Sequence, residues 1–256
     1  MGPSHRGIVA DALDADSCRR VIAGRTVAVH CAGPFAGQST TLLRACLNSG
    51  CHYVDISDDR GYVRQVKEHD QPFRSRELSA VFGCSALPGI SGALAHVLRR
   101  QSSEPPQAAR CTLFIGNRNP KGLAAVQSLL TGLGKPIWAP QGTLRGFYDR
   151  ARVSLPQPFG MRSVFNFESP EYDLFVEQLN VTSVSVKVGF ELRLVTFGIA
   201  GLAKLSSHWQ ARTARLLLPL ALPFRHLGCS GGVVMTELFW ANGSQTSAAI
   251  HATQQG

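Results

Sequence analysis

The sequence predicts an α/β protein: a partial Rossmann-like, doubly wound parallel sheet followed by a smaller α+β domain. Three observations carry this prediction. From Arg6 to Arg100, short apolar runs alternate with longer amphipathic stretches, the pattern of repeated β-α units around a parallel sheet. Residues 102–109 (SSEPPQAA) combine two prolines with small polar residues and read as a linker. Beyond them, strand-like and helix-like segments mix without regular alternation. The expected boundaries are a nucleotide-binding-type domain over 1–104 and an α+β substrate or dimerisation domain over 105–256.

In the first domain, strands are expected at GIVAD (7–11), TVAVHCAG (26–33), HYVDIS (52–57) and SAVFGCSA (79–86). Helices are expected over 14–24, 37–50 and 58–78. Asp16 or Ser17 can cap the first, and Gly24 can end it. In the second, Leu42, Leu43, Ala45, Cys46 and Leu47 make the buried face, with Gly50 as the stop. The third breaks near Pro72. A further helix over 91–101 precedes the linker.

In the second domain, 109–117 reads as a strand and 122–134 as a helix, while 142–155 and 181–199 read as strands. The segment from 231 reads as a strand giving way to a small, polar, unstructured tail.

Composition bounds the function only loosely. The 256 residues are 44% hydrophobic and 17% charged, values ordinary for a soluble globular protein. The net charge of +9 comes from scattered arginines and lysines, not from one run interleaved with aromatics, so a nucleic-acid partner is not expected. Anionic nucleotides suit the same charge. The seven cysteines form no C-x-x-C pair, so neither a zinc site nor a disulfide framework is expected, and a reducing, cytoplasmic setting suits them. No signal peptide is expected at the N-terminus. The apolar segments 195–209 and 214–228 are interrupted by Lys204, Pro219 and Pro223, which makes core or interfacial helices the expectation. Peripheral membrane contact around Leu216 to Leu222 is the alternative.

Chemistry in a parallel α/β sheet is sought beyond the carboxyl ends of the strands, where small residues let a ligand approach the backbone. At the second strand end, Gly33 permits an unusual backbone angle, Pro34 fixes the next and Gly37 leaves space before the helix; an ordinary strand-to-helix turn reads equally well. The next strand end places Asp55, Ser57, Asp58 and Asp59 where carboxylates could accept hydrogen bonds, although Asp58 and Asp59 suit helix capping better. At the fourth, Leu87, Pro88, Gly89 and Ile90 form a rigid turn, with Ser91 available to cap the following helix. His30 and His96 sit on apolar faces and read as packed residues, and Cys84 has no visible base. No G-x-G-x-x-G, P-loop, H-E-x-x-H or G-x-S-x-G occurs.

Taken in order, His30-Cys31-Ala32-Gly33-Pro34-Phe35, Arg44-Ala45-Cys46, Gly50-Cys51-His52-Tyr53-Val54-Asp55 and Pro88-Gly89 resemble the nicotinamide-binding domain of saccharopine dehydrogenase-like proteins. The resemblance covers roughly residues 8 to 100. It implies NADP or NAD as cofactor, with hydride transfer to or from an unknown small-molecule substrate and a possible homodimer. It also implies that Ala32, Gly33, Pro34 and Phe35 line the cofactor near its ribose and nicotinamide. Asp14 would lie near adenine, and Asp55 on the nicotinamide or substrate side. No residue is assigned as catalytic, and no metal is implied.

Two departures accompany the resemblance. Family members begin with a strand, a glycine-rich turn, a helix and a further strand that have no counterpart here, so the chain reads as N-terminally truncated and cofactor binding as impaired. Leu87 stands where relatives acting on amino acids carry an aspartate before Pro-Gly. The competing reading is a non-catalytic family member or fragment that keeps the fold for binding or regulation.

Overall fold

The computed structural model describes residues 7–119, 123–205 and 226–253. The chain forms two compact units, Met1–Cys84 and Ser85–Gly256.

In the first unit, helix α1 (Ala15–Ile22) starts where Asp14, in extended backbone, accepts a hydrogen bond from the Ser17 amide at 2.6 Å. The cap is therefore Asp14 and neither Asp16 nor Ser17, because capping needs a side chain just outside the helix. Strand β1 (Val27–His30), helix α2 (Thr41–Ser49) and strand β2 (His52–Asp55) follow. Helix α3 (Arg60–Lys67) is capped by Asp59. Helix α4 (Asp70–Arg74) and the two-residue strand β3 (Ala80–Val81) complete the unit. The break between α3 and α4 comes at 68–69, slightly before Pro72. A proline ring collides with the carbonyl four residues earlier, here that of Glu68, so the helix must end ahead of it.

The three strands are parallel in the order β1-β2-β3, the partial parallel sheet expected from the sequence. One face carries Ala28, His30, Tyr53 and Asp55 and is packed by α1 to α4 through Cys18, Leu43, Cys46, Tyr62 and Phe73. The other presents Val27, Val29 and Val81, which are about half exposed. Residues 7–11 form no strand: among the described residues no segment pairs with them, and Val9 is 97% exposed.

The second unit contains helix α5 (Ser91–Arg99), strand β4 (Ala108–Ile115), helix α6 (Leu123–Thr131), strands β5 (Pro136–Ala139), β6 (Gly142–Arg145), β7 (Ala151–Leu155) and β8 (Gly160–Asn166), and helix α7 (Glu171–Leu179). Strand β9 (Ser183–Phe190), helix α8 (Arg193–Leu205) and strands β10 (Gly232–Phe239) and β11 (Gln245–Ala252) complete it. Six strands form one mixed sheet in the order β11-β10-β4-β9-β8-β7, in which only β4 and β9 pair in parallel, and β5-β6 is a separate hairpin.

Three expectations change here. The division falls at Cys84/Ser85 and not at 104/105, and the second unit is the larger. Helix α5 belongs to it because Ala95 and Leu98 pack with Val184, Val234 and Leu238, and Thr236 Oγ1 donates to the Ser91 carbonyl. The strand expected over 181–199 stops at Phe190, and its second half is α8. The expected C-terminal tail is strand β11, paired with β10 along its whole length. The turn before it is closed by a hydrogen bond from the Trp240 amide to the Ser244 carbonyl, with Gly243 at φ +80°. Among the described residues no helix is long and apolar enough to cross a membrane; the segment around Leu216 to Leu222 lies outside them.

A buried carboxylate organises the second unit. Glu171, at the start of α7, has no exposed surface and accepts hydrogen bonds from Ser91 Oγ at 2.6 Å and Ser169 Oγ at 2.5 Å. Leaving a buried polar group unpaired costs about 1–3 kcal/mol. Glu171→Ala strands the Ser169 hydroxyl and leaves Ser91 only the Pro88 carbonyl, so a loss of roughly 1–3 kcal/mol is expected in equilibrium urea unfolding. An unchanged midpoint would contradict the bracing role.

Candidate functional site

The carboxyl ends of β1, β2 and β3 meet in the first unit, and the sequence between strand and helix determines what each presents. After His30 the chain makes a tight turn. The Gly33 amide bonds the Cys31 carbonyl, the Gln38 amide bonds the Phe35 carbonyl at 2.9 Å, and Gln38 Nε2 donates to the Ala32 carbonyl at 3.2 Å. The unusual backbone angle falls at Gly37, φ +73°, and not at Gly33. A side chain built on Gly33 would meet Phe35 at 3.7 Å, an ordinary contact, so its smallness relieves no internal crowding and leaves bare backbone outward. Cys31, Ala32, Gly33 and Pro34 are exposed, whereas Phe35 folds inward and is 4% exposed.

At the end of β2, Asp55 is fully buried. Its Oδ1 accepts hydrogen bonds from the Ser57 amide at 2.9 Å and the Gly83 amide at 2.8 Å, and its carbonyl accepts from the Cys84 amide. One side chain thus fixes the loops after β2 and β3 together. Ser57 Oγ accepts from the Asp59 amide, and Asp59 caps α3, the capping role expected of it.

Between these strand ends lies a polar network that sequence reasoning missed. His30 and Asp55 are register partners on adjacent strands. His30 Nδ1 lies 3.0 Å from Tyr53 Oη and 3.3 Å from Tyr62 Oη, and the two phenols are 2.8 Å apart. The imidazole also meets the Phe35 ring edge-on, with centroids 5.0 Å apart. Burial holds the His30 pKa below its ordinary value, against the pull of the Asp55 carboxylate and the Ala32 carbonyl. Burial and Asp55 push Tyr53 far up, and burial takes Tyr62 to about 12, so both phenols stay protonated. The alternation in HYVD signals that Tyr53 faces inward, but the contacts with His30 span 23 and 32 positions and leave no local trace.

The structure therefore brings Ala32, Gly33, Pro34, Phe35 and Asp55 to one strand-end region. Asp14 is the cap of α1. In the second unit, Ser91 spends its hydroxyl on Glu171 and the Pro88 carbonyl and does not cap α5. Among the described residues no group of histidines, cysteines and carboxylates is placed to hold a metal ion.

These features define a class: an α/β protein of the saccharopine dehydrogenase-like fold. The chain superposes on the apo saccharopine dehydrogenase (L-Glu forming) of Saccharomyces cerevisiae with a TM-score of 0.56 and 10% sequence identity, over 96% of this chain and 74% of that one. In sequence the chain is similar to a protein described as saccharopine dehydrogenase-like. It is 28% identical over 111 residues to an Arabidopsis thaliana protein described as a probable mitochondrial saccharopine dehydrogenase-like oxidoreductase. That match spans 42% of this chain and 24% of the relative's length. No family model matches.

Removing the Asp55 carboxylate tests the anchor. Hydrogen bonds to charged groups contribute about 1.5–3 kcal/mol each, so Asp55→Ala should cost roughly 3 kcal/mol or more in urea unfolding. Asp55→Asn keeps one acceptor and should cost less. If the alanine variant is as stable as the unchanged protein, Asp55 does not hold these loops.

Proposed function

We propose that the first unit binds a nicotinamide dinucleotide at the carboxyl ends of β1 and β2, as part of a saccharopine dehydrogenase-like oxidoreductase whose substrate is unknown. The observation that carries this reading is the exposed, small-residue backbone of residues 32–34 standing on a buried base of His30, Phe35 and Asp55. Ligands of parallel α/β sheets approach at such strand ends, and small residues there admit a flat ring or a ribose. When bound, the cofactor supplies the hydride; the protein positions it and keeps water away.

The residues divide by exposure. Ala32, Gly33 and Pro34 would touch the cofactor, with NADP and NAD equally compatible. Phe35 and Asp55 are buried and act through others: Phe35 supports the turn from below, and Asp55 fixes the neighbouring loops. Asp14 reaches the adenine end only if its capping role leaves an oxygen free. A second reading, a binding or regulatory protein without catalysis, is favoured by the absence of any G-x-G-x-x-G in these 256 residues, since that turn supplies the amides that grip a pyrophosphate.

Calorimetric titration of the 256-residue protein with NADPH and NADH, beside a thermal melt, separates the two. Micromolar affinity, about −8 kcal/mol, is expected for at least one nucleotide. Ala32→Trp, at an exposed position, should weaken it at least tenfold without lowering the melting temperature. A folded protein that binds neither nucleotide supports the non-catalytic reading. Binding indifferent to Ala32→Trp moves the site elsewhere.

A further inference from the structure

Among the described residues, five buried side-chain polar atoms have no hydrogen-bond partner, and three belong to this strand-end region: His30 Nε2, Gln38 Oε1 and Asp55 Oδ2. The region is thus incompletely satisfied around one imidazole, and proton bookkeeping shows which state of that imidazole it is built for. The two phenols carry one proton each. If both are used within the triangle of His30 Nδ1, Tyr53 Oη and Tyr62 Oη, one phenol donates to the other and the second donates to Nδ1, in either direction. Nδ1 is then an acceptor, which makes His30 the neutral tautomer with its proton on Nε2. That N–H has no partner, while the Asp55 Oδ2 acceptor on the neighbouring strand also lacks one.

We propose that His30 is a positioning residue that makes the turn at residues 31–38 sensitive to acid: neutral, it holds Phe35 and the turn in place, and protonated, it releases them. That this turn meets a nucleotide rests on the function proposed above; the switch itself does not.

The physical cause is a reversal of direction. A protonated ring must donate from Nδ1, so where both phenols point a proton into the triangle one must turn its proton out of it, Tyr53 toward Asp55 or Tyr62 away from both, and the triangle rearranges. The lost order reaches the turn through the edge-on contact between His30 and Phe35, whose ring also packs on Tyr62 with centroids 5.0 Å apart. The groups facing the ring are Tyr53 and Asp55 from β2, Tyr62 from α3 and the Ala32 carbonyl from the turn. Cys46 of α2, beside Tyr62, is a thiol pushed up to about 12 by burial and is neutral, as is Cys84 beside Asp55. Only the Asp55 carboxylate and the Ala32 carbonyl among these favour the charged ring, and burial outweighs both.

The sign follows. With the folded pKa below the unfolded value of about 6.5, the unfolded chain binds more protons in the window between the two. Stability is full above about pH 6.5 and is lost as pH falls through that window, by up to about tenfold in the folding constant per pH unit.

Two independent measurements test this. Imidazole NMR of the unmodified protein, with the His30 signal assigned by its absence in His30→Asn, should show a neutral Nε2–H tautomer titrating below about 6.5; an Nδ1–H tautomer or a higher value overturns the proposal. Urea unfolding between pH 7.5 and 5.5 should show a steeper acid loss in the unchanged protein than in His30→Asn; equal slopes overturn it. If His30→Asn does not fold, Tyr53→Phe, which removes one donor to the triangle, should raise the His30 pKa, and an unmoved titration counts against the network. Nucleotide affinity should fall with the same pH dependence. No binding at any pH, with the NMR and stability results as expected, refutes the nucleotide reading and leaves the switch standing.

Discussion

A buried charge must be paid for in hydrogen bonds, and this constraint shapes both units of the chain. Asp55 and Glu171 are completely buried carboxylates, and each sits where two segments distant in sequence have to be joined. Asp55 accepts two backbone amides and so ties the ends of β2 and β3; Glu171 accepts two serine hydroxyls and so ties α5 to the start of α7. Lys187 follows the same rule on β9. Burial lowers its pKa, and its ammonium donates to the Asp149 carbonyl at 2.8 Å and Asn166 Oδ1 at 2.6 Å. An ion taken out of water costs several kcal/mol unless its lone pairs or protons are used, so each of these groups fixes the geometry of whatever satisfies it.

The consequence at the strand ends is a division of labour that residue type alone does not reveal. A carboxylate after a parallel strand reads as a ligand contact, and an aromatic in a Gly-Pro turn reads as a stacking surface. Here both point inward. What remains outside is backbone with small side chains, those of Cys31, Ala32, Gly33 and Pro34.

Much of the first unit was legible in sequence. The alternation of apolar runs and amphipathic stretches located β1, α2, β2 and α3, because each is a local pattern and each helix has a nearby stop or cap in Gly50 or Asp59. The segment 7–11 was read as a strand from the same local pattern, but a strand also needs a neighbour. In the second unit, residues 181–199 are rich in β-branched and apolar residues throughout, and composition does not show where β9 becomes α8. The structure supplies the reason at Glu191, whose carboxylate takes the amides of Asn117 and Cys229 at 2.9 and 2.8 Å; burial raises its pKa, but these hydrogen bonds more than offset that, and the net shift is downward. Those partners lie 74 and 38 positions away, beyond any sequence window.

At the candidate site the turn was legible in the sequence, and the polar network beneath it was not. The motif from His30 to Phe35 singles out this turn in the sequence, where His30 reads as a packed histidine. It is packed, at 2% exposure, but packing and function are not alternatives for a titratable ring. A buried aliphatic residue at this position would fill the same space and leave the turn indifferent to pH. A buried imidazole with one satisfied nitrogen and one unsatisfied nitrogen couples the shape of the turn to a proton, because the direction of the hydrogen bond at Nδ1 depends on its charge. Tyr53 and Tyr62 make that coupling strong. Their own pKa values are pushed beyond the range in which they could yield a proton, so the imidazole is the member of the triangle that must change.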